Sequence, residues 1–530
     1  MGLAQFRHVI FVGRWWKYLP VLSFSVLAAG VGLTLYRAGQ PPLIEVKSTD
    51  QYWSETGLEP KALEDLVDDE SCRSSQRYFL ACANAVATVA DRLGLRVALD
   101  GKIEKASATR TEINERRMLA PWKELYANNA AAVKGLSFHS VWRGLSGPAM
   151  PESKKAFLTG TAFNAFLSVF RDPHTYVLPI NYYRDVVAPT MAPSSALGIV
   201  LSRTSRGYYL RKVMEGSPAE KAGLKRGDWI LSVNGHELGS LPPQRLSEIL
   251  KAENGEVTSL VARRGQERMK VDIVRSASVF PSLSMKTFGG DKPVGVLTLH
   301  KFAKGSCREF KSALSAFKDQ GLAGLLIDLR DNSGGQMDEA ACMVSLFVGP
   351  KAPAFRIRYL DPAREPEIYY GQEEILWTGK VAVIMNTGTA SASEILAGSL
   401  RDHGKALLVG ERTFGKGSFQ EGEIWDRNRR VAFFQTKGFY YLPSGYSPQM
   451  HGLEPDVPVR FRESPSQREE DQYVNPLRPP TTVVQRAKAI DIATCVPQEG
   501  AGMDDQQLDQ ARQALFCAPT AAAAGDADAR

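Results

Sequence analysis

Residues 380–420 read KVAVIMNTGTASASEILAGSLRDHGKALLVGERTFGKGSFQ. The stretch opens with an apolar segment typical of a buried strand, turns at Asn386, and becomes helical from Ser391 until Gly404 ends the helix. A second apolar segment, ALLVG, follows. Strand, helix and strand in this order predict a layered α/β core. Ser391 is therefore expected at a helix N-terminus that points off the edge of a sheet.

That position of Ser391 has two interpretations. Free backbone N–H groups and the positive end of the helix dipole favour an anion there, which suits a serine nucleophile whose attack creates an oxyanion. The same residues, Ser391 to Glu394, also form a capping-box pattern, which requires no chemistry. From this string alone both interpretations stay open.

The string around Lys416 decides between them. The spacing from Gly410 to Lys416 resembles a phosphate-binding GxxxxGK loop, but Gly417 stands where the magnesium-binding Ser or Thr is needed and a strand follows instead of a helix. A lysine between two glycines and near Phe414 and Phe419 suits a different role, because apolar neighbours favour the neutral amine that acts as a base. The amide oxygen of Gln420, four residues later, is placed to orient that lysine.

A second module lies upstream. Residues 216–235 read GSPAEKAGLKRGDWILSVNG, a short helix and a Gly turn leading into a strand. The loop Leu197, Gly198, Ile199 can present backbone N–H groups to a peptide's terminal carboxylate, and the peptide would then add as a strand. A helix predicted at 243–252 places Leu246 and Ile249 on one face, as the wall of a groove. The pattern predicts a PDZ domain that captures a substrate tail or regulates the enzyme.

The sequence resembles the C-terminal processing peptidases, also called tail-specific proteases, over about residues 160–462. The resemblance is carried by the PDZ module and by the strings TASASEI, ERTFGKGSFQ and DLRDNSGG. The resemblance implies a ClpP/crotonase-like α/β core that needs no cofactor and no metal. It assigns the nucleophile to Ser391, the general base to Lys416 and the lysine-orienting amide to Gln420.

The resemblance also implies supporting roles around the dyad. Gly335 and Ala392 are expected to supply the oxyanion-hole N–H groups, and Asp402 to give structural support. Ser333 stands where the family usually has proline, which bears on the rigidity of that turn. The strings Asp172–Thr175 and Gly452–Asp456 also match the family and are interpreted as architectural.

The whole chain is predicted to be an α/β multidomain protein with a membrane segment, a helical N-terminal region, an inserted PDZ domain, the protease core and a helical C-terminal tail. The predicted boundaries are 1–17 cytoplasmic N-terminus, 18–36 transmembrane anchor, 38–190 helical region, 191–278 PDZ domain, 279–462 protease core and 463–530 C-terminal extension. The Ala-rich end, 515–530, is expected to be disordered.

The N-terminus predicts export from the cytoplasm. Arg7, Arg14 and Lys17 precede an uncharged apolar run from Tyr18 to Tyr36, which approaches the roughly 20 residues of a membrane-spanning helix. The favoured interpretation is a single-pass anchor in a bacterial inner membrane with the catalytic part in the periplasm. The alternative is a cleaved signal peptide that leaves a periplasmic protein.

Charge and cysteine content limit the other classes. The net charge of +7, from 65 basic and 58 acidic residues, is spread along the chain and disfavours nucleic-acid binding. None of the six cysteines forms a CxxC pair, so a zinc site is disfavoured. Cys495 and Cys517 could pair; Cys72 and Cys82 could pair only if a break separates them, because one helix would hold them about 15 Å apart. Sequence alone does not decide a Cys307–Cys342 pair.

Two rival functions remain. A Ser-His-Asp hydrolase is disfavoured because no GxSxG elbow occurs and His403 would lie about 18 Å along the helix from Ser391. A catalytically inactive PDZ adaptor on a protease fold is the rival from another class. The favoured function is a serine endopeptidase acting on proteins with accessible C-terminal tails, with an adaptor protein as a further candidate partner and the membrane contacted through the anchor.

Overall fold

The computed structural model describes residues 49–106, 115–148, 150–187, 192–194, 197–204, 207–214, 216–238, 250, 256–275, 278–280, 282–424, 430–459, 473–479 and 506–517. The chain divides into two units between Glu45 and Val46, and every described residue belongs to the second. Within these ranges no helix is long and apolar enough to span a bilayer. The predicted anchor at 18–36 lies outside them.

The N-terminal region is helical, as the apolar periodicity predicts. Its helices are α1 (Thr49–Ser54), α2 (Lys61–Glu64), α3 (Asp69–Arg73), α4 (Gln76–Arg92), α5 (Glu115–Asn128), α6 (Ala130–Gly135), α7 (Phe138–Ser146), α8 (Lys155–Phe170) and the single turn α9 (Ile180–Tyr182), and a short hairpin of β1 (Leu95–Val97) and β2 (Ile103–Lys105) accompanies them. Their apolar faces share one core, in which Trp142, Phe79 and Phe138 are fully buried.

A helix break allows the first disulfide. Cys72 lies in α3 and Cys82 in α4, and Ser75 caps the start of α4 by accepting the N–H of Tyr78. The two cysteines are bonded, with their Cα atoms 6.0 Å apart. The sequence analysis allowed this pairing only if the helix is interrupted between the two cysteines, and the structure has that interruption. Cys307 and Cys342, which the sequence left undecided, are also bonded, and the Cys495–Cys517 pair lies outside the described side chains.

A five-stranded path of antiparallel strands forms the PDZ-like module. Its order is β10-β9-β7-β6-β5, with β8 beside β7, and its strands are β5 (Ile199–Thr204), β6 (Gly207–Val213), β7 (Trp229–Val233), β8 (His236–Glu237), β9 (Val257–Arg264) and β10 (Glu267–Val274). The short helix α10 (Pro218–Lys221) begins with proline after the capping Ser217. A separate pair, β4 (Ala192–Ser194) with β11 (Ser278–Phe280), joins the two chain segments that flank the module.

The central sheet of the core has six strands in the order β12-β13-β14-β17-β18-β21. They are β12 (Leu283–Phe288), β13 (Val294–Leu299), β14 (Gly324–Asp328), β17 (Lys380–Met385), β18 (Leu407–Gly410) and β21 (Val457–Pro458), all parallel from β13 onward. Helices α11 (Ser306–Asp319), α12 (Met337–Val348) and α13 (Ala392–Asp402) cover one face. Every residue of β14 is buried, as expected for a parallel strand covered on both faces.

A second sheet packs beside this core. It contains β15 (Pro353–Tyr359), β16 (Glu367–Tyr370), β19 (Ser418–Ile424) and β20 (Val431–Tyr441) in the order β16-β15-β20-β19, and β3 (Tyr176–Pro179) of the N-terminal region also pairs with β20. The long strand β20 therefore joins the helical region to the core, and it carries residues that reach the site described below.

The prediction that 515–530 is disordered is wrong for its first residues. Helix α14 (Gln506–Cys517) packs against the second face of the central sheet, where Ala511, Ala514 and Leu515 are buried. These residues recur at helical spacing and give the helix an apolar face. The alanine-rich composition concealed that face, because its contacts are with strands far away in sequence.

Candidate active site

Ser391 occupies an unusual backbone conformation at the start of α13. It is the N-cap residue, with φ of 59° and ψ of −122°, and its exposure is 8%. A residue with a side chain rarely adopts positive φ, and such strain persists where surrounding contacts enforce it. The predicted position of Ser391 at a helix N-terminus is therefore what the structure has.

Hydrogen bonds to the side chain of Glu394 help to hold Ser391 in this conformation. Its Oε2 accepts the backbone N–H of Ser391 at 2.8 Å and the backbone N–H of Lys416 at 2.9 Å. Its Oε1 accepts the Gly415 N–H at 3.0 Å and the Thr413 hydroxyl. The side chain is fully buried. One carboxylate thus joins the backbone of the nucleophile candidate to the loop of the base candidate.

Tyr440 makes a second bridge between the same two residues. Its single hydroxyl hydrogen is shared between two acceptors, the carbonyl oxygen of Ser391 at 3.2 Å and that of Lys416 at 2.8 Å. The ring is completely buried. Because N–H and C=O groups of both residues are held, the relative position of Ser391 and Lys416 is set mainly by backbone contacts.

The side chain of Lys416 is oriented by its neighbours on β19. Its Nζ donates to the Oε1 of Gln420 at 2.7 Å and to the carbonyl of Ser418 at 3.3 Å. The contact with Gln420 is the one expected from the sequence. Phe419, the residue before Gln420, packs against Tyr359 in the core.

Burial dominates the electrostatics of the site. Removal of the Glu394 carboxylate from water raises its pKa to about 7, although its hydrogen bonds with Thr413, Ser391, Lys416 and Gly415 act in the opposite direction. Burial also raises the pKa of Tyr440 well above its usual value. The tyrosine therefore stays neutral and remains a hydrogen-bond donor at ordinary pH.

The turn after β14 packs directly onto the start of α13. The carbonyl of Asn332 accepts the N–H of Ala390 at 3.0 Å and the hydroxyl of Ser393 at 2.9 Å. Its side chain accepts the N–H of Gly334 and donates to the Leu299 carbonyl. The strands β14 and β17 are parallel neighbours, so the turns after them meet at one edge of the sheet.

The geometry of Gly335 leaves its N–H available. Phe302 donates to the Gly334 carbonyl and accepts the Gln336 N–H, so the groups of Gly335 itself point away from Phe302. No acceptor for the N–H of Gly335 or of Ala392 occurs among the residues that the structure describes. A Cβ on Gly335 would lie 2.1 Å from the Phe302 carbonyl oxygen, so a side chain does not fit there.

The PDZ-like module contacts this same turn. Arg211 of β6 forms an ion pair with Asp331, whose side chain is 4% exposed. Asp331 also accepts from the Asn386 side-chain amide at 2.7 Å, and its N–H donates back to the oxygen of that amide at 3.0 Å. One arginine therefore connects the module to the two turns that precede Gly335 and Ser391.

The remaining predicted site residues either lie away from Ser391 or fall outside the residues that the structure describes. Asp402 is at the far end of α13 and accepts the N–H of Ser444. Gly198 has φ of 77°, and Leu197 is buried in the module's core. Ile199 begins β5, whereas Leu246 and Ile249 fall outside the described residues. Within the described ranges, no group of three or more His, Cys, Asp or Glu side chains is arranged to hold a metal ion.

Sequence reasoning did not assign two residues of the site. Glu394 was interpreted only as part of a capping box, and Tyr440 was not considered. The spacing of Glu394 relative to Ser391 was a usable signal, since N3 of a helix lies beside the N-cap N–H. No local pattern points to Tyr440, which reaches the site from β20.

Comparisons with known proteins agree with this architecture. Residues 293–459 match the family model "Peptidase family S41", and residues 209–264 match that of the PDZ domain. A probable CtpA-like serine protease of Staphylococcus aureus is 30% identical over 310 residues, and one of Staphylococcus epidermidis is 27% identical over 305 residues. Each alignment spans 57% of this chain and 60% of the relative's length.

Among solved structures, the photosystem II D1 C-terminal processing protease aligns with a TM-score of 0.43 and 24% identity. The alignment covers 63% of this chain and 89% of that protein. The two family models cover the central sheet from β13 onward, with its Ser391 and Lys416 loops, and most of the PDZ-like module. Over residues 293–459 this chain is therefore similar to the serine-type peptidases of family S41, and over residues 209–264 it is similar to PDZ domains.

Proposed function

We propose that this chain is a serine endopeptidase that cleaves protein substrates near their C-terminal ends with a Ser391–Lys416 dyad. The observation that carries the proposal is the double bridge: Glu394 and Tyr440 each bind the backbones of both residues. A capping box alone would not require any link between Ser391 and the lysine loop. The substrate class is inferred from the PDZ domain and the family.

The proposed reaction proceeds through an acyl-enzyme. The Oγ of Ser391 attacks the peptide carbonyl while its proton passes to the neutral amine of Lys416, with Gln420 holding that amine. The N–H groups of Gly335 and Ala392 stabilise the developing oxyanion. Lys416 then protonates the departing amine, and water, deprotonated by the same lysine, releases the acyl group from Ser391.

The proposed location is an oxidising compartment outside the cytoplasm. Two disulfides, Cys72–Cys82 and Cys307–Cys342, support it, because such bonds persist in exported proteins and are rare in the cytosol. Retention by an anchor at 18–36 remains a prediction from the sequence. Carbonate washing of membranes would test it: an anchored protein stays in the pellet, whereas a cleaved form is released.

A serine-reactive fluorophosphonate probe tests the catalytic proposal. We expect purified protein to label at Ser391 and to degrade an unfolded protein, and we expect Ser391→Ala to lose both activities while keeping its melting temperature. Ser393→Ala, which removes a neighbouring hydroxyl that donates to Asn332, is the control for labelling at the wrong serine. Wild-type protein that neither labels nor cleaves would favour the inactive PDZ adaptor instead.

A substitution in the PDZ loop tests tail capture. Gly198 has φ of 77°, and an aspartate there places negative charge where a terminal carboxylate would bind. We expect Gly198→Asp to raise KM about 10- to 100-fold for substrates with free tails, since charge-assisted hydrogen bonds contribute about 1.5–3 kcal/mol. Short peptides that bypass the groove should be cleaved as before.

The matched control is Gly265→Asp. Gly265 also has positive φ, 60°, but lies in the turn between β9 and β10. The Gly265→Asp variant adds the same charge and similar backbone strain outside the PDZ loop, so its KM should stay close to that of the wild type. Equal KM for all three proteins on a tailed substrate would contradict tail capture by the PDZ loop.

A further inference from the structure

A chain of hydrogen bonds leads from Lys416 to a buried carboxylate. The Nζ of Lys416 donates to the Oε1 of Gln420 at 2.7 Å, and the Nε2 of Gln420 donates to the Oγ1 of Thr436 at 3.3 Å. Thr436 then donates to the Oδ1 of Asp172 at 2.7 Å. Asp172 is 6% exposed and lies between α8 and β3.

Strand pairing places the middle of this chain. Gln420 of β19 and Thr436 of β20 are direct partners in the antiparallel register, so their side chains meet on the same face. Asp172 is fixed beside them by two more donors, the His174 N–H at 2.9 Å and the Thr175 hydroxyl at 2.7 Å. The carboxylate is therefore held independently of Thr436.

The carboxylate sets the direction of every bond in the chain. An ionised Asp172 only accepts, so Thr436 must give its single hydroxyl hydrogen to it. The Thr436 oxygen then has only acceptor capacity left toward Gln420. The nitrogen end of the Gln420 amide must face Thr436, and the oxygen end must face Lys416.

The other partner of Gln420 does not impose this direction. Its Nε2 also lies 3.2 Å from the Oγ of Ser418, but a serine hydroxyl can either donate or accept. Only the link through Thr436 ends in a group that cannot donate. The orientation of the Gln420 amide therefore depends on Asp172 through Thr436.

We propose that Asp172 and Thr436 are positioning residues that hold the amide oxygen of Gln420 toward Lys416. The inference rests on the proposed dyad and extends it to a turn that the sequence assigned to architecture. If the amide turned over, its NH₂ group would donate to the lone pair of the neutral amine. That lone pair would then be unavailable for the proton of Ser391.

Two substitutions at Thr436 separate the hydroxyl from its packing. Thr436→Val keeps the shape and the β-branching but removes the hydroxyl, whereas Thr436→Ser keeps the hydroxyl and removes a methyl group. We expect Thr436→Val to lower kcat about 10- to 100-fold with KM little changed, because only the base is disoriented. Thr436→Ser should stay within about threefold of the wild type.

Thr161→Val is the matched control. It removes the hydroxyl of another half-buried threonine, which donates to the carbonyl of Phe157 within α8 at 2.9 Å and has no part in this hydrogen-bond chain. We expect its kcat to stay within about threefold of the wild type. Melting temperatures of all variants should be measured alongside, so that a folding defect is seen separately from a catalytic one.

The outcomes distinguish this inference from the dyad itself. A kcat of Thr436→Val equal to the wild type, or a loss equal to that of Thr161→Val, would overturn the positioning role, while an inactive Ser391→Ala in the same assay would leave the dyad standing. Cleavage by Ser391→Ala would overturn both. A loss of kcat in Thr436→Val that does not occur in Thr436→Ser would establish that this chain of hydrogen bonds orients the base.

Discussion

Lys416→Ala is expected to reduce peptidase activity by about 10⁴-fold or more, because nucleophile and base act as one unit and loss of either costs nearly as much as loss of both. The fold should survive, since Glu394 and Tyr440 bind the backbone of Lys416 and not its side chain. The measurement is kcat/KM on an unfolded protein, together with the melting temperature.

Two further lysine variants sharpen this test. Lys416→Arg keeps the positive charge but cannot lose its proton, so it should be as inactive as the alanine variant. Lys437→Ala removes a lysine of β20 that pairs with the exposed Glu423, a kind of ion pair that contributes little, and it should behave as the wild type. Substantial activity in Lys416→Arg would remove the general-base role of Lys416.

Glu394→Ala is expected to have the second largest effect. It removes an acceptor for four donors, three of them backbone N–H groups, and each buried donor without a partner costs about 1–3 kcal/mol. We expect destabilisation of several kcal/mol and a loss of activity of about 10²-fold or more, since the Ser391 and Lys416 loops lose a shared anchor. Glu423→Gln, at an exposed carboxylate of β19, is the control.

The raised pKa of Glu394 also predicts how stability changes with pH. The pKa of this carboxyl is about 7 in the folded protein, against an ordinary value of 4.5. Its contribution to stability is therefore complete below pH 4.5 and is lost as the pH rises toward 7. Glu394→Gln carries no titrating group, so its unfolding free energy should lack this decline.

Urea unfolding of the wild type and of Glu394→Gln between pH 4.5 and pH 7.5 would show the difference. The gap between their unfolding free energies should change by about 3 kcal/mol across that range, in the sense that the wild type loses stability relative to the variant as pH rises. A constant gap would show that Glu394 is ionised in the folded protein throughout the range.

The features that follow from local pattern were predicted correctly. The apolar strands and the helix from Ser391 are present, because uninterrupted apolar segments and caps act over a few residues. The contact between Lys416 and Gln420 was also expected, since Gln420 follows only four residues later and its amide oxygen can accept from the lysine. The resemblance to the C-terminal processing peptidases was recognisable because the family's strings are dense in this sequence and occur in order.

The features that depend on pairing between residues distant in sequence were not predicted. Tyr440 and Thr436 reach the site from β20, and their role depends on its register with β19, which no local string specifies. The burial of Leu515 depends on strands nearly two hundred residues earlier, such as β14. The roles of Glu394 and Asp172 were underestimated, because both residues also have a sufficient local explanation as a cap or a turn.

The backbone angles of Ser391 place stability and activity in conflict at a single position. Its φ of 59° belongs to a region that costs a residue with a side chain about 1–3 kcal/mol and costs glycine far less. Selection for stability alone would therefore favour glycine there, and selection for the hydroxyl opposes it. Under the proposed function, the hydroxyl of Ser391 is therefore kept at the expense of backbone strain that a glycine at this position would relieve.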